Sequence, residues 1–459
     1  MRIGANPSSR GPRWSFLPAT CAVGATLVAS YAAAVIPQTM FLLTSAAIAV
    51  VLTLAPAGVL IGVTLLARNL ADAVADQRVI GTLNTGALLG ILVVAVVLVR
   101  VVGMRRPVGL GAALFAWLLL LFWFTVGYTN FGDDPSLQRE LIRASSIVAL
   151  ALFAANAVRT QRSVEQTVDI VIAASLVPAV VAISQMATGV ERAHGTLAHA
   201  NSASGIFVIG LALSSWRLIE GRHARSPGLR RYLVAALVFA IALLATRSLG
   251  GMAQGAVTLA AYTLFMRRSG SIRVLAVVAA IALVAIFTFT PLGESRVEEL
   301  STTTSPTLAA QGQSTNSLDW RFGHWVDLIN VWREKPILGY GSGATTTLVA
   351  PGGATPHSDA IRLLVETGVV GAIVFGSACL ALFLALFRVA RARPPIGSYG
   401  TVVLAIVVGA AIHALAENVW GETAILYALA VLVGSALGAG MSQAWSTAAA
   451  HARKVAAAH

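Results

Sequence analysis

Residues 109–128 read GLGAALFAWLLLLFWFTVGY, twenty positions without a charged side chain. A helix rises 1.5 Å per residue, so about 20 apolar residues cover the roughly 30 Å of a bilayer's hydrocarbon core, and this run is read as a membrane span. Outward from it the pattern repeats. The basic break Arg105-Arg106-Pro107 separates it from the run at 82–102, and a break holding Asp133, Asp134, Arg139 and Glu140 separates it from the run at 141–159. Further runs fall near 16–36, 38–54, 56–70, 166–187, 203–219, 232–246, 249–266, 272–290, 360–388, 398–418 and 421–440. The pair 38–54 and 56–70 is short and split by Pro56, so it reads as two spans or as one hairpin. The expected fold is an all-α polytopic membrane protein with about 12, up to 14, transmembrane helices.

Composition agrees. Of 459 residues, 57% are hydrophobic and 11% charged, against about 25% charged in a soluble domain, which excludes a soluble globular enzyme. The net charge of +13 invites a nucleic-acid reading, but the basic residues are scattered over short loops instead of forming a surface that follows phosphates, so no nucleic-acid partner is expected. Cys21 and Cys379 both lie inside apolar runs, which leaves neither a disulfide framework nor a cysteine metal site. The basic stretch Met1 to Trp14 leads into a run read as a retained first helix and not as a removed signal peptide.

Alternate loops differ in charge. One set carries 21 of the 32 basic residues and only Glu165, Asp169 and Glu220 of the 19 acidic ones. By the positive-inside rule that set is expected to be cytoplasmic, with both termini. Arg139, Arg143, Arg192, Arg247, Arg296, Arg321, Arg333, Lys335 and Arg362 then fall at the outer face, where Arg68 and Arg78 are harder to assign. Some are ordinary solvated charges. A cluster of fixed cations beside lipid headgroups is also what a lipid-linked diphosphate requires. The chain divides into N-terminal spans (1–290), an external loop (291–359), C-terminal spans (360–440) and a cytoplasmic tail (441–459).

The long hydrophilic stretch, Pro291 to His357, is extracytoplasmic by this parity. Residues 301–317 are rich in Ser, Thr and Gln. In the segment after them, Trp325, Leu328, Ile329 and Trp332 recur at i, i+3, i+4 and i+7, one apolar face of a helix at the membrane interface, with Arg321 a turn earlier. Gly339, Gly341 and Gly343 then alternate around Tyr340 and Ser342. Without a strand before and a helix directly after, they are no nucleotide fingerprint. They mark a tight turn whose amides approach a ligand or another segment. Thr355 can cap the next helix with Pro356 at its first position, which puts His357 in the first turn as a proton acceptor near neutral pH. Asp359, Arg362 and Glu366 form a charged stripe on that helix, equally an ion-paired helix end or part of a site. Two shorter external segments hold Arg192, His194, His199 and Asn201, and the corner Thr246-Arg247-Ser248, where Arg247 is an isolated cation among apolar neighbours.

In order, Gly195-Thr196 through His199 and Asn201, then Arg321 with Trp325, then Pro336, Gly339, Gly341 and Gly343, then His357, Glu366, Gly368 and Gly371 resemble the signature of the O-antigen ligase and polymerase superfamily. The resemblance runs from about 190 to 375. It implies a GT-C-like architecture and an inverting, metal-independent glycosyltransferase that needs no cofactor. Such an enzyme moves a glycan from an undecaprenyl-diphosphate carrier to an acceptor hydroxyl, of glycan, lipid or protein, on the outer membrane face. It further implies His357 as general base and Arg247 and Arg321 as diphosphate ligands. The corner order here is Arg247 then Ser248, the reverse of the order common in the family.

Elementary chemistry points the same way, since guanidiniums stabilise a departing diphosphate and an imidazole takes the hydroxyl proton. His194, His199 and His357 sit on separate loops and are not expected to hold zinc. A polysaccharide polymerase of the same superfamily is the near alternative. A transporter or flippase of lipid-linked sugars is the distant one, but no internal repeat is visible, and parity puts His413, Glu417 and Asn418 at the outer end as well. A purely structural scaffold leaves the external cations unexplained.

Overall fold

The structure, a computed structural model, describes residues 47–74, 78–80, 83–104, 107–223, 228–266, 285, 317–347 and 356–458. The expected span at 16–36, that at 272–290 apart from residue 285, the start of 38–54, most of the Ser/Thr-rich segment and Thr355 lie outside these residues. Ahead of α1 (Ala57–Ala71), residues 47–54 are helical, and a short antiparallel ribbon, β1 (Arg78–Ile80) with β2 (Leu83–Asn84), follows it. The rest is helical: α2 (Thr85–Val102), α3 (Leu110–Phe131), α4 (Pro135–Ala157), α5 (Gln161–Ala187), α6 (Ala200–His223), α7 (Leu229–Ala245), α8 (Leu249–Phe265), α9 (Ser317–Glu334), α10 (Ala344–Thr347), α11 (Asp359–Ala390), α12 (Ile396–Ala416) and α13 (Thr423–Ala458). Among the described residues, eight helices are long and apolar enough to cross a membrane: α2 to α6 and α11 to α13. The chain is thus a polytopic helical membrane protein.

Helices in lipid gain little from burying apolar surface against each other, so close backbone approach and dispersion must hold the bundle. The long contact of α4 with α13 shows how. Gly434 and Gly438, one turn apart on α13, lie against the Ala151 and Ala155 carbonyls of α4, where a Cβ would come within 2.3 and 2.2 Å. The lipid side is explicit too. Leu114, Phe115, Leu118 and Leu121 of α3, and Ile373, Leu380 and Leu384 of α11, are exposed.

Three expectations are corrected. The helix expected from residue 360 is not continuous: Gly368 (φ 62°, ψ −167°) breaks α11, so Asp359, Arg362 and Glu366 ride on a short first segment and not on the long span. The helix is capped by Ser358, whose side chain accepts from the Ile361 amide, so His357 precedes the cap instead of lying in the first turn, at φ 47°. The last helix passes residue 440 and runs to Ala458.

The break at Gly368 explains the alternating glycines. Amides freed there, Val369 and Val370, donate to the carbonyls of Pro336 (2.9 Å) and Ile337 (3.1 Å). In return the carbonyls of Val365 and Glu366 accept from the amides of Tyr340 (3.0 Å) and Gly341 (2.8 Å). Backbone groups at membrane depth need partners, and here a second segment supplies them. Gly341 (φ 92°) lies so close to α3 that a Cβ would meet the Gly127 backbone nitrogen at 2.0 Å. Gly341→Ala is therefore expected to destabilise the protein by more than the ~1–3 kcal/mol of a strained φ alone. A lower melting temperature in detergent, with the same change at exposed Gly376 as control, checks this.

Candidate active site

At one end of the bundle, a cavity of about 930 Å³ opens among the N-terminal ends of α4, α6 and α13, the C-terminal end of α12, and the segments 192–199 and 356–358. Its wall carries four guanidiniums, Arg143, Arg192, Arg321 and Arg362, and three carboxyls, Glu140, Glu417 and Glu422.

Glu417 organises the wall. α12 ends at Ala416, and Glu417 follows in extended backbone, which turns its side chain off the helix. One carboxylate oxygen, Oε1, accepts from Arg321 Nη2 (3.0 Å) and Asn201 Nδ2 (2.5 Å); the other, Oε2, lies 3.1 Å from His357 Nδ1. Burial pushes this carboxyl up, but the hydrogen bond from His357 and the Arg321 charge outweigh it and hold Glu417 below the usual carboxylate range. An ionised Glu417 accepts, so the proton of neutral His357 belongs on Nδ1 and the lone pair on Nε2.

The surroundings fix this pair. Trp325 Nε1 donates to the Pro356 carbonyl, holding the chain just before His357. Asp359 Oδ2 accepts from the Trp420 amide (2.8 Å), and Arg143 Nη1 donates to the Gly421 carbonyl (2.6 Å), so the turn after Glu417 is braced from α11 and α4. Arg321 also donates through Nη1 to the Ala416 carbonyl (3.0 Å). Asn201 Oδ1 accepts from Arg192 Nη2 (2.9 Å) and from Ser248 Oγ (2.8 Å). A second ladder, in which Arg362 joins Glu140 (3.0 Å) to Glu366 (3.2 Å), lines the α4 side. Glu366 further accepts from the Gly343 amide (3.2 Å) and Thr345 Oγ1 (3.0 Å).

His357, Arg321, Arg192, Asn201, His199, Arg362 and Gly343 thus come together at the cavity. Asp359, Glu366, Gly339 and Gly341 stand behind its wall. Arg247 is not among the lining residues; it occupies the α7–α8 corner at φ 46°, and its neighbour Ser248 caps α8 and reaches Asn201. Sequence reasoning did not place Glu140, Arg143, Glu417, Glu422, His413 or Trp320 in the site. For Glu417 a signal existed, an ionisable residue directly after twenty nearly uncharged positions. Glu422 is pushed up by burial and by Asp72. His413, buried one turn before Glu417, has no hydrogen-bond partner for either ring nitrogen among the described residues.

Residues 233–376 match the family model described as O-antigen ligase. That range covers α7 to the break in α11 and includes His357 and Arg321, whereas Glu417, Asn201 and Arg192 lie beyond it. No curated protein matches the chain. The resemblance read from the ordered motifs and this match coincide: both point to the O-antigen ligase family, the match over residues 233–376.

Proposed function

We propose that this chain is an inverting, metal-independent glycosyltransferase. It moves a glycan from an undecaprenyl-diphosphate carrier in the bacterial inner membrane to an acceptor hydroxyl on the outer face. The observation that carries the proposal is the hydrogen bond between His357 and Glu417 on the wall of a guanidinium-lined cavity. In the reaction, His357 Nε2 takes the proton of the acceptor hydroxyl, and the oxygen attacks the anomeric carbon from the side opposite the diphosphate. The bond from that carbon to the phosphate oxygen breaks, and the diphosphate departs with the electron pair and inverted product remains. Arg192 and Arg321 supply the positive charge that meets the developing negative charge. Arg321 has a second task, since it also fixes Glu417.

On this reading the cavity end of the bundle faces outward, both termini are cytoplasmic, and the architecture is GT-C-like. Ligase and polymerase use the same chemistry and differ in acceptor. Purified protein in proteoliposomes, given the carrier-linked glycan and an acceptor, is expected to release undecaprenyl diphosphate and form a glycoside of inverted anomeric configuration, at a rate unchanged by EDTA. Retention of configuration, loss of transfer in EDTA, or passage of intact donor across the bilayer without transfer would overturn the proposal.

A further inference from the structure

Trp320 has an environment unlike that of its neighbours on α9. Trp325 is hydrogen-bonded to Pro356, and Trp332 packs on the small apolar cluster of Leu328, Tyr340, Ala344 and Val365. Trp320 instead lines the cavity and is 37% exposed. His324, one turn on and buried, stacks on its ring with centroids 5.0 Å apart and planes 17° from parallel. That stacking sets the plane of the indole and backs one of its faces. The His357 ring stands nearly perpendicular, 6.0 Å from the Trp320 centroid.

A membrane-anchoring tryptophan turns its ring to lipid. This one, held in plane beside the proposed base, lines a cavity whose wall carries charged and polar side chains. An indole in that setting suits a ligand with an apolar face and a polar rim. The acceptor is the reactant whose hydroxyl must reach His357, and the donor is already held through its diphosphate by the guanidiniums, so the acceptor is the reactant left for Trp320 to hold. A pyranose ring meets the description: its C–H face stacks on the indole, while its hydroxyls turn to polar groups of the wall such as Asn201 and His194. A serine or threonine side chain offers no such face.

We infer that Trp320 is the platform for the acceptor's terminal sugar, and hence that the acceptor is a glycan. The inference rests on the assignment of His357 as base, and the test separates the two. Saturation-transfer NMR on the full-length protein in detergent, with methyl glucoside, methyl galactoside and methyl rhamnoside as probes and N-acetylserinamide as the non-sugar control, reads binding without turnover. At least one glycoside is expected to bind the wild type and His357→Gln alike and the serinamide to bind neither. Trp320→Ala should weaken glycoside binding about tenfold, and Trp320→Phe should restore most of it. In the transfer assay, Trp320→Ala should raise the acceptor KM by a similar factor with the donor KM unchanged. Glycosides bound equally by wild type and a folded Trp320→Ala, or no glycoside binding to the wild type, would overturn the platform. Glycoside binding lost in Trp320→Ala alongside full transfer by His357→Gln would overturn the base assignment and leave the platform standing.

Discussion

Replacing His357 with glutamine is expected to lower glycan transfer by about 10²- to 10⁴-fold, the range for removing a positioned general base. Glutamine can still donate an amide hydrogen to Glu417 and so preserve the contact now made by Nδ1, but no atom of it can accept and release a proton at neutral pH. The variant therefore separates chemistry from architecture. His357→Ala should be equally inactive, and in both the lipid-linked donor should still bind, because the guanidiniums proposed to meet its diphosphate are untouched. Turnover near the wild-type rate in the glutamine or asparagine variant, at equal protein level, would show that the imidazole only holds its segment in place. Asp359 or Glu366 would then be the next group to test.

Glu417→Gln should be almost as damaging, for a reason contained in its three contacts. Oε1 faces two donors, Arg321 and Asn201, and Oε2 faces His357. An amide in that position must turn its single oxygen toward the two donors, so its NH₂ group meets Nδ1. The imidazole proton moves to Nε2, the nitrogen that has to be free to take the acceptor's proton. A forced tautomer of this kind costs up to about 10⁴ in kcat where it has been engineered in a serine protease triad. The expected signature is a fall in kcat with little change in the donor KM, partly restored by Glu417→Asp. An unchanged kcat would remove Glu417 from the mechanism. The same carboxyl contributes to stability. Its folded value is held below the ordinary 4.5, so its contribution is fully present above that pH and is lost as pH falls through the depressed value. Thermal melts of the wild type should lose stability on acidification over that range, and Glu417→Gln should lose less.

The eight long apolar helices among the described residues were legible because length and hydropathy alone specify them. α2 and α3 begin and end within about three residues of their expected limits. His357, Arg321, Arg192, Asn201 and His199, which share the cavity, were legible as ionisable or polar groups at the ends of apolar runs. What could not be read was pairing across the chain. His357 and Glu417 are 60 positions apart, Arg143 and Gly421 278 apart, and no local pattern links them. The break in α11 was hidden as well, since Gly368 inside an apolar run is common in membrane helices and is marked as a break only by its contact with residues 336–341. The cap failed for a related reason. Thr355-Pro356 is a good start for a helix, but Ser358 is equally good, and the contacts of Pro356 and His357 with Trp325 and Glu417 hold the chain out of the helix until Ser358.

The exchange of backbone hydrogen bonds around Gly368 has a consequence for how this region can vary. Its bonds join main-chain atoms of 336–341 to main-chain atoms of 365–370, so few depend on which side chains are present. Apart from the glycines that permit the close approach, the residues there can be exchanged without breaking the lattice of amides. Their number cannot. One residue inserted or deleted between Pro336 and Gly341 would offset every donor from its acceptor and carry Gly343 and Thr345 away from Glu366, so length, more than composition, is the quantity this part of the chain has to keep.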